Sequence, residues 1–377
     1  MKITKLETIM VKPRWMFLKI YTDEEIVGYG EPIVGGCTHI VAAAVKEFEK
    51  YLLGKDPRRI THHWQAMYRG GFYRGGPSLV SAISGIEQAM WDILGKSLGV
   101  PIYQLLGGAC RDKIRLYSNI PITPISGRAS QKYYEAAALQ IIAQGLTALK
   151  FALPYPVEII DGRKFILECV SIMKTIRKAV GNNVDILIDF HGHVSPAMSK
   201  LLIKELEPFN PFFIEEPCLP ENIDVLVDIK RSTHIPIATG ERLYTKWGFR
   251  EILEKQAAFI LQPDVSHAGG IMELKNIAAM AEVYYAGIAP HCPFGPIALA
   301  SCIQVDAAIP NFLIQEHVTL GEGYLLEPFN LNDGYIEIPK KPGLGIELDE
   351  KFIKENVYDG SWKTPIIYHK DGSVADW

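Results

Sequence analysis

The 377-residue chain lacks the marks of several large protein classes. No apolar run approaches the roughly 18–20 residues that a membrane-spanning helix needs, so no membrane is expected as a partner. The opening MKITKLETIMVKPR has no apolar core followed by a small-residue cleavage site, and a cytoplasmic location is the expectation. Six cysteines, at 37, 110, 169, 218, 292 and 302, show neither CxxC nor finger spacing. They read as reduced thiols, not as a disulfide framework or a zinc site. There is no basic block: 39 basic and 43 acidic residues are dispersed, with a net charge of −4, which argues against nucleic acid as the principal partner. Low-complexity segments are also missing, and 48% hydrophobic with 22% charged residues is an ordinary globular composition. A chain of this length can bury a large core.

Two patterns divide what is there. The first 35 residues read as strands: KITKLETIMV alternates, WMFLKIYT follows, and a turn and short strand lie in DEEIVGYGEP. Helical patterns follow from about His39 to Leu53 and from about Ser78 to Leu98, the second ending at Gly99 before Pro101. After RDKIRLYSN, strand and helix alternate. Strands are predicted at 114–119, 147–152, 185–190, 211–215, 236–240, 258–263, 286–290 and 312–315, with amphipathic stretches such as SKLLIKELE and MELKNIAAMAEVYY between them. This predicts an α/β protein: a TIM-type barrel of modified (β/α)7β form, at 113–325, behind an α+β capping domain at 1–112. The segment 326–377 is predicted to return to the cap and complete it.

Three acids recur at one interval in the alternating region: Asp189, Glu215 and Glu241, each 26 residues after the last. Each ends an apolar run, at the carboxyl end of a predicted strand, where such barrels build their sites. Three carboxylates there repel one another unless a hard divalent cation lies between them. The series continues with Asp264 after FILQP, His291 after GIAP and Glu316 after FLIQ, and Lys150 precedes it in ALKFA. Any one of these has an ordinary explanation, since acids cap the helices that follow strands. Seven in phase do not. Asp264 and His291, on adjacent strands, suit a carboxylate–imidazole pair. His191, two residues after Asp189, is expected on the same side of an extended strand, as an acid facing the base, as a metal ligand or as a wall residue. His193 and Glu216 are left to structure.

These residues resemble the enolase superfamily, mandelate racemase-like branch, and within it the sugar-acid dehydratases of the galactonate dehydratase type. The likeness rests on PRWMFLKI near the start, MYRGGFYRGGP at 67–77, IEQAMWDILGK at 86–96, LIDFHG at 187–192, FIEEP at 213–217, TGER at 239–242, LQPDVSHAGGI at 261–271, APHCPFGPIALA at 289–300 and IQE at 314–316. It implies one Mg²⁺ per subunit at Asp189, Glu215 and Glu241, with Mn²⁺ as a substitute. It also implies a His291–Asp264 base dyad, His191 as acid, and Glu316 as a partner of the substrate carboxylate. Arg14 and Trp15, with Tyr73 and Arg74, would close the site over the substrate. The family's racemases and cycloisomerases carry Lys-x-Lys on the second barrel strand. Here that strand reads Lys150-Phe151-Ala152, so the second lysine is missing and Lys150 is left an electrostatic role.

The expected reaction is removal of the C2 proton of an aldonate by His291 and loss of the 3-hydroxyl assisted by His191, giving a 2-keto-3-deoxy acid. D-Galactonate is the first expected substrate, with gluconate, arabinonate and fuconate behind it, and an even-numbered homo-oligomer is expected. Two other readings stand beside it: a non-catalytic sugar-acid-binding protein on the same scaffold, and a metal-dependent hydrolase barrel. The first would show a broken constellation; the second would carry His-x-His on an early strand, whereas His191 and His193 fall on the third.

Overall fold

Alternation along the first strands produces the cap. β1 (Ile3–Val11), β2 (Trp15–Thr22) and β3 (Val27–Gly30) form an antiparallel sheet in that order. Helices α1 (Thr38–Leu52), α2 (Ile60–Arg69) and α3 (Pro77–Leu98) cover it. α3 starts at Pro77, whose missing N–H costs nothing at a first helical position, and stops at Gly99 with φ 70°. α2 was not anticipated: THHWQAMYR carries two histidines and a tryptophan in place of a plain aliphatic stripe. A short helix α4 (Ile102–Leu105) leads to the barrel. The structure, a computed structural model, describes residues 1–121 and 129–377.

Seven strand–helix units and a final strand then follow. They run β4 (Lys113–Asn119), α5 (Gln131–Ala143), β5 (Ala148–Ala152), α6 (Arg163–Val180), β6 (Asp185–Asp189), α7 (Pro196–Leu206), β7 (Phe213–Glu215), α8 (Ile223–Arg231) and β8 (Ile237–Thr239). The series ends with α9 (Thr245–Glu254), β9 (Ile260–Leu261), α10 (Ile271–Val283), β10 (Gly287–Ile288), α11 (Pro296–Ala308) and β11 (Gln315–His317). All eight strands are parallel. β11 pairs with β4, and Phe312 bridges Ile288 of β10, which closes the ring into the expected (β/α)7β barrel. The last strand lies later than predicted. Residues 312–314 lean on β10, and only 315–317 reach β4, so one apolar run divides between two neighbours.

Inside the ring, Tyr117, Ala148, Leu187, Phe213, Ala238, Ile260, Ala289 and Ile314 form a separate buried cluster, one residue from each strand run. Large and small residues are mixed around it, which fills the barrel instead of leaving a pore. A strand repeats every two residues. One step towards the carboxyl end, the inward positions are Asn119, Lys150, Asp189, Glu215, Gly240, Gln262, His291 and Glu316. The polar site is the next layer above the apolar plug.

Residues beyond 325 attach at both ends. β12 (Tyr335–Glu337) pairs antiparallel with β4. Val357 bridges Val11 of β1, and Lys19 of β2 meets Glu350 at 2.5 Å, in the helix α12 (Glu350–Glu355). β13 (Ile367–Tyr368) and β14 (Val374–Ala375) pair as an antiparallel hairpin. Among the described residues, no helix is long and apolar enough to cross a membrane.

One buried group works against the fold. Asp306, on α11, is fully buried and neither carboxyl oxygen has a hydrogen-bond partner. Burial pushes its pKa well above the carboxylate range. A carboxyl whose folded pKa lies above its unfolded one weakens the fold progressively as pH rises past the unfolded value. Asp306→Asn has no proton to lose. It is expected to raise stability by about 1–3 kcal/mol at pH 7 and by less near pH 4, read from denaturant midpoints.

Candidate active site

The inward phase of the strands brings Lys150, Asp189, Glu215, His291 and Glu316 to one end of the barrel. Glu241 joins them from one residue beyond the inward Gly240. That glycine has φ 143°, and a Cβ there would strike the Phe249 ring and the Gln262 backbone. Oxygens of Asp189, Glu215 and Glu241 lie within 4.8 Å of one another. Oε1 of Glu215 is buried without a partner. Lys150 Nζ reaches across the group, 2.7 Å from Glu215, 3.1 Å from Glu316 and 3.3 Å from Asp189.

The protonation balance follows from burial and these neighbours. Burial pushes Glu215 up, and the adjacent Asp189 charge pushes the same way, so its pKa is raised well above the carboxylate range. Burial also opposes ionisation of Asp189, but His191 and Lys150 outweigh it and hold its pKa below the usual range. Glu316 sits at about 2: against burial it has Lys150, His291, the Asn119 amide at 2.7 Å and the Cys292 N–H at 2.8 Å.

The two imidazoles lie on different sides of this cluster. His291 Nδ1 is 2.8 Å from Asp264, and its Nε2 is 3.2 Å from Glu241. Asp264 is oriented in turn by the Ser266 N–H at 2.7 Å. Burial alone would lower the His291 pKa, yet Glu241, Glu316 and Asp264 hold it well above the histidine range. His191 Nε2 is 3.0 Å from Asp189, which raises its pKa against the same burial.

The route to His191 differs from the one predicted. The strand ends at Asp189, and His191 has φ 49°, a left-handed turn in place of an extended strand. The turn is held because the His191 N–H donates to Asp189 Oδ1 at 2.7 Å, while Arg242 donates to the His191 carbonyl at 2.6 Å. Arg242 is itself fixed by the buried Glu216, 2.6 Å from Nε. Sequence reasoning missed Arg242, although it stands in TGER beside Glu241. It also missed Asn119, whose in-phase position on the first strand was the available signal. His193 is buried with both ring nitrogens unpartnered, and burial holds its pKa down at about 3.

A cavity of about 880 Å³ opens above the cluster. Its wall includes Arg14, Tyr155, Trp362 and Trp377 beside the residues above. Arg14 lies 4.8 Å over the Trp362 ring. Trp15, Tyr73 and Arg74 are not brought to this wall. Trp15 points into the cap core, edge-on to Tyr324 at 5.5 Å, because its strand buries that face. Tyr73 is 87% exposed on the glycine-flanked loop before α3. The unanticipated contribution is from the late segment: Trp377 meets the His191 ring at 5.5 Å.

Residues 4–107 match the family described as mandelate racemase/muconate lactonizing enzyme, N-terminal domain, and residues 133–352 match the enolase C-terminal domain-like family. The chain belongs to the enolase superfamily. Across their full lengths, the chain is 48% identical to a D-galactonate dehydratase of Ralstonia pickettii and 46% identical to one of Pectobacterium atrosepticum. A solved enolase-superfamily structure from Agrobacterium radiobacter, described as a putative galactarate dehydratase with bound Na and L-malate, superposes with a TM-score of 0.91. It is 31% identical and both chains are covered completely. A putative dehydratase structure from Mesorhizobium loti gives 0.87 at 34% identity, over 95% of this chain and 99% of that one.

The Glu216–Arg242 pair tests how this superfamily member holds its turn. Arg242→Met strands a buried carboxylate and is expected to cost about 3–5 kcal/mol. Adding Glu216→Gln should recover most of that loss, as a double-mutant cycle in denaturant will read.

Proposed function

We propose that this protein dehydrates a sugar acid, an aldonate, to its 2-keto-3-deoxy acid, with D-galactonate as the first candidate substrate. The observation that carries the reading is a carboxylate triad flanked by a His291–Asp264 pair on one side and His191 on another, with Ala152 where a second lysine would stand. The described relatives act on D-galactonate by name, which supports both the reaction class and the substrate. Gluconate, arabinonate and fuconate are the alternatives. A non-catalytic sugar-acid-binding role is disfavoured by the intact set of ionisable groups.

Asp189, Glu215 and Glu241 suit a hard divalent cation, Mg²⁺ or Mn²⁺. They are oxygen donors, mutually repelling, and one buried oxygen of Glu215 has no other partner. A cation held there offsets the second negative charge that grows beside the substrate carboxylate when the C2 proton leaves. His291 takes that proton. Asp264 fixes its ring and favours the imidazolium that results. Glu316, buried and ionised, orients the carboxylate end of the substrate with Asn119 and Lys150 around it. His191 gives its proton to the departing 3-hydroxyl, and the enol left behind tautomerises to the keto acid. Arg14, Trp362 and Trp377 wall the cavity and exclude water.

A panel of aldonic acids differing at one carbon each, incubated with Mg²⁺ and assayed for 2-keto-3-deoxy product, tests the reading; silence across the panel would refute it. His291→Asn is expected to abolish turnover while substrate still binds, measured by calorimetry. His191→Asn should stop dehydration but leave exchange of the C2 proton with deuterated solvent.

A base must be neutral when substrate arrives, and Glu241 beside His291 opposes this. A cation shared with Glu241 weakens that pull. NMR titration of His291 is therefore expected to give a lower pKa with Mg²⁺ than after chelation. An unchanged or higher value would remove Glu241 from the proposed ligand set.

A further inference from the structure

The IEQAMWD stretch lies in the cap, in α3, away from the cavity wall, yet Glu87 and Gln88 are fully buried against one barrel loop, and Gln88 is joined through Glu31 to a second. Those loops follow β9 and β10, and they carry Asp264 and His291. Gln88 Nε2 donates to the Val265 carbonyl at 3.2 Å and to Ser266 Oγ at 3.3 Å, immediately after Asp264. Gln88 Oε1 accepts the backbone N–H of Glu31 at 2.8 Å. The Glu31 carboxyl then accepts the N–H of Gly295 at 2.6 Å and of Ala298 at 2.9 Å, where the His291 loop turns into α11. A Cβ at Gly295 would fall 2.6 Å from a Glu31 carboxyl oxygen, so the glycine leaves room for this contact. The path closes on itself at the 2.8 Å contact between His291 and Asp264.

From this closed circuit we infer that Gln88 and Glu31 are positioning residues for the His291–Asp264 dyad, so that the cap helps set the geometry of proton abstraction. The inference rests on the reading of His291 as the base. Neither residue touches the cavity. Each acts by fixing the separation of two loops that otherwise meet through the buried edge-on contact of His267 with Phe294, ring centroids 5.2 Å apart, which carries no hydrogen bond between them. The 264–270 loop has further attachments to the same helix: Gly269 N–H donates to Ser84 at 3.0 Å, and Glu87 accepts from Ile271 at 2.7 Å and Met272 at 2.9 Å. The cap thus grips the Asp264 loop along its length. Gln88 and Glu31 tie that grip to the His291 side.

Displacing a catalytic group by a fraction of its contact distance costs rate more than binding. Gln88→Met keeps the length of the side chain and deletes its bonds to Val265, Ser266 and Glu31. Glu31→Gln keeps volume but sets an amide N–H₂ against a backbone donor. Both are expected to lower kcat by about tenfold or more with KM within about twofold. Exchange of the C2 proton should slow in parallel, and the kinetic isotope effect with C2-deuterated substrate should rise. Asp92→Asn is the control. It removes a buried cap carboxylate that binds Tyr29 and Leu344 outside the circuit, and it should lower the melting temperature without changing kcat or the isotope effect. If Gln88→Met does not fold, Glu31→Gln reads the same circuit from its other end. Wild-type kcat and isotope effect in these variants, with His291→Asn dead, would overturn the brace alone. Full activity in His291→Asn would overturn the reading of the dyad, and the brace with it.

Discussion

Negative charge gathered out of water at the mouth of the barrel is the constraint on which the rest depends. Asp189, Glu215 and Glu316 are almost completely buried and Glu241 nearly so, while among the described residues Lys150 is the one ammonium paired with them. Lys150 cannot neutralise four acids alone, and His191 against Asp189, His291 against Glu241 and Arg242 at 3.9 Å from Glu241 share the task. Glu215 stays high in pKa and Asp189 and Glu316 low, so the cluster settles its repulsion by unequal sharing of protons. Bringing such charges together costs free energy that the fold must recover elsewhere. It does so with the eight-residue apolar plug directly beneath and with backbone donors aimed at the acids, among them Ser266, Cys292 and His191.

The same constraint explains which parts were readable in advance. Strand periodicity and the spacing of Asp189, Glu215, Glu241, Asp264, His291 and Glu316 report one physical fact, that inward positions at strand ends share a height in the barrel. A reader of the sequence can therefore recover the barrel and its central residues together. Asn119 was recoverable by the same rule and was overlooked because an amide does not stand out among acids. Trp15 shows the limit from the other side. Adjacent to Arg14 in sequence, it opens β2 and is buried in the cap core, while Arg14 stays in the preceding turn and reaches the cavity wall.

What periodicity cannot reach is tertiary closure. The left-handed turn at His191 depends on Arg242 from the next loop but one, and Arg242 depends on Glu216. Nothing local in Phe190-His191-Gly192 specifies that conformation. Trp362 and Trp377 reach the cavity only because the late segment crosses the cap and comes back, a path with no repeating pattern. The cap helix shows both faces of the problem. The apolar stripe of α3 predicted its burial, but Ser81, Ser84, Glu87, Gln88 and Asp92 are buried too, and each has a partner more than 170 residues away, in the segment 265–271 or in the late segment.

The distribution of bases across the site then bears on the kind of reaction it favours. Inverting a carbon centre needs two groups of comparable basicity on opposite faces, each able to take the proton that the other returns. Here the faces are unlike. His291 is backed by Asp264, whose carboxylate also accepts the Ser266 N–H at 2.7 Å and lies 4.0 Å from His267 Nε2. His191 leans on Asp189, a carboxylate already committed to Lys150 and to the acidic triad, and its Nδ1 has no partner. Both carboxylates favour the protonated ring, but Asp189 is shared with Lys150, whereas among the described residues no lysine or arginine pairs with Asp264. The position where a lysine would offer an alternative base is Ala152, which adds only space to the cavity. The proposed roles, His291 taking the C2 proton and His191 giving one to the leaving hydroxyl, fit these unlike supports, because in an elimination the proton taken and the proton given are different protons.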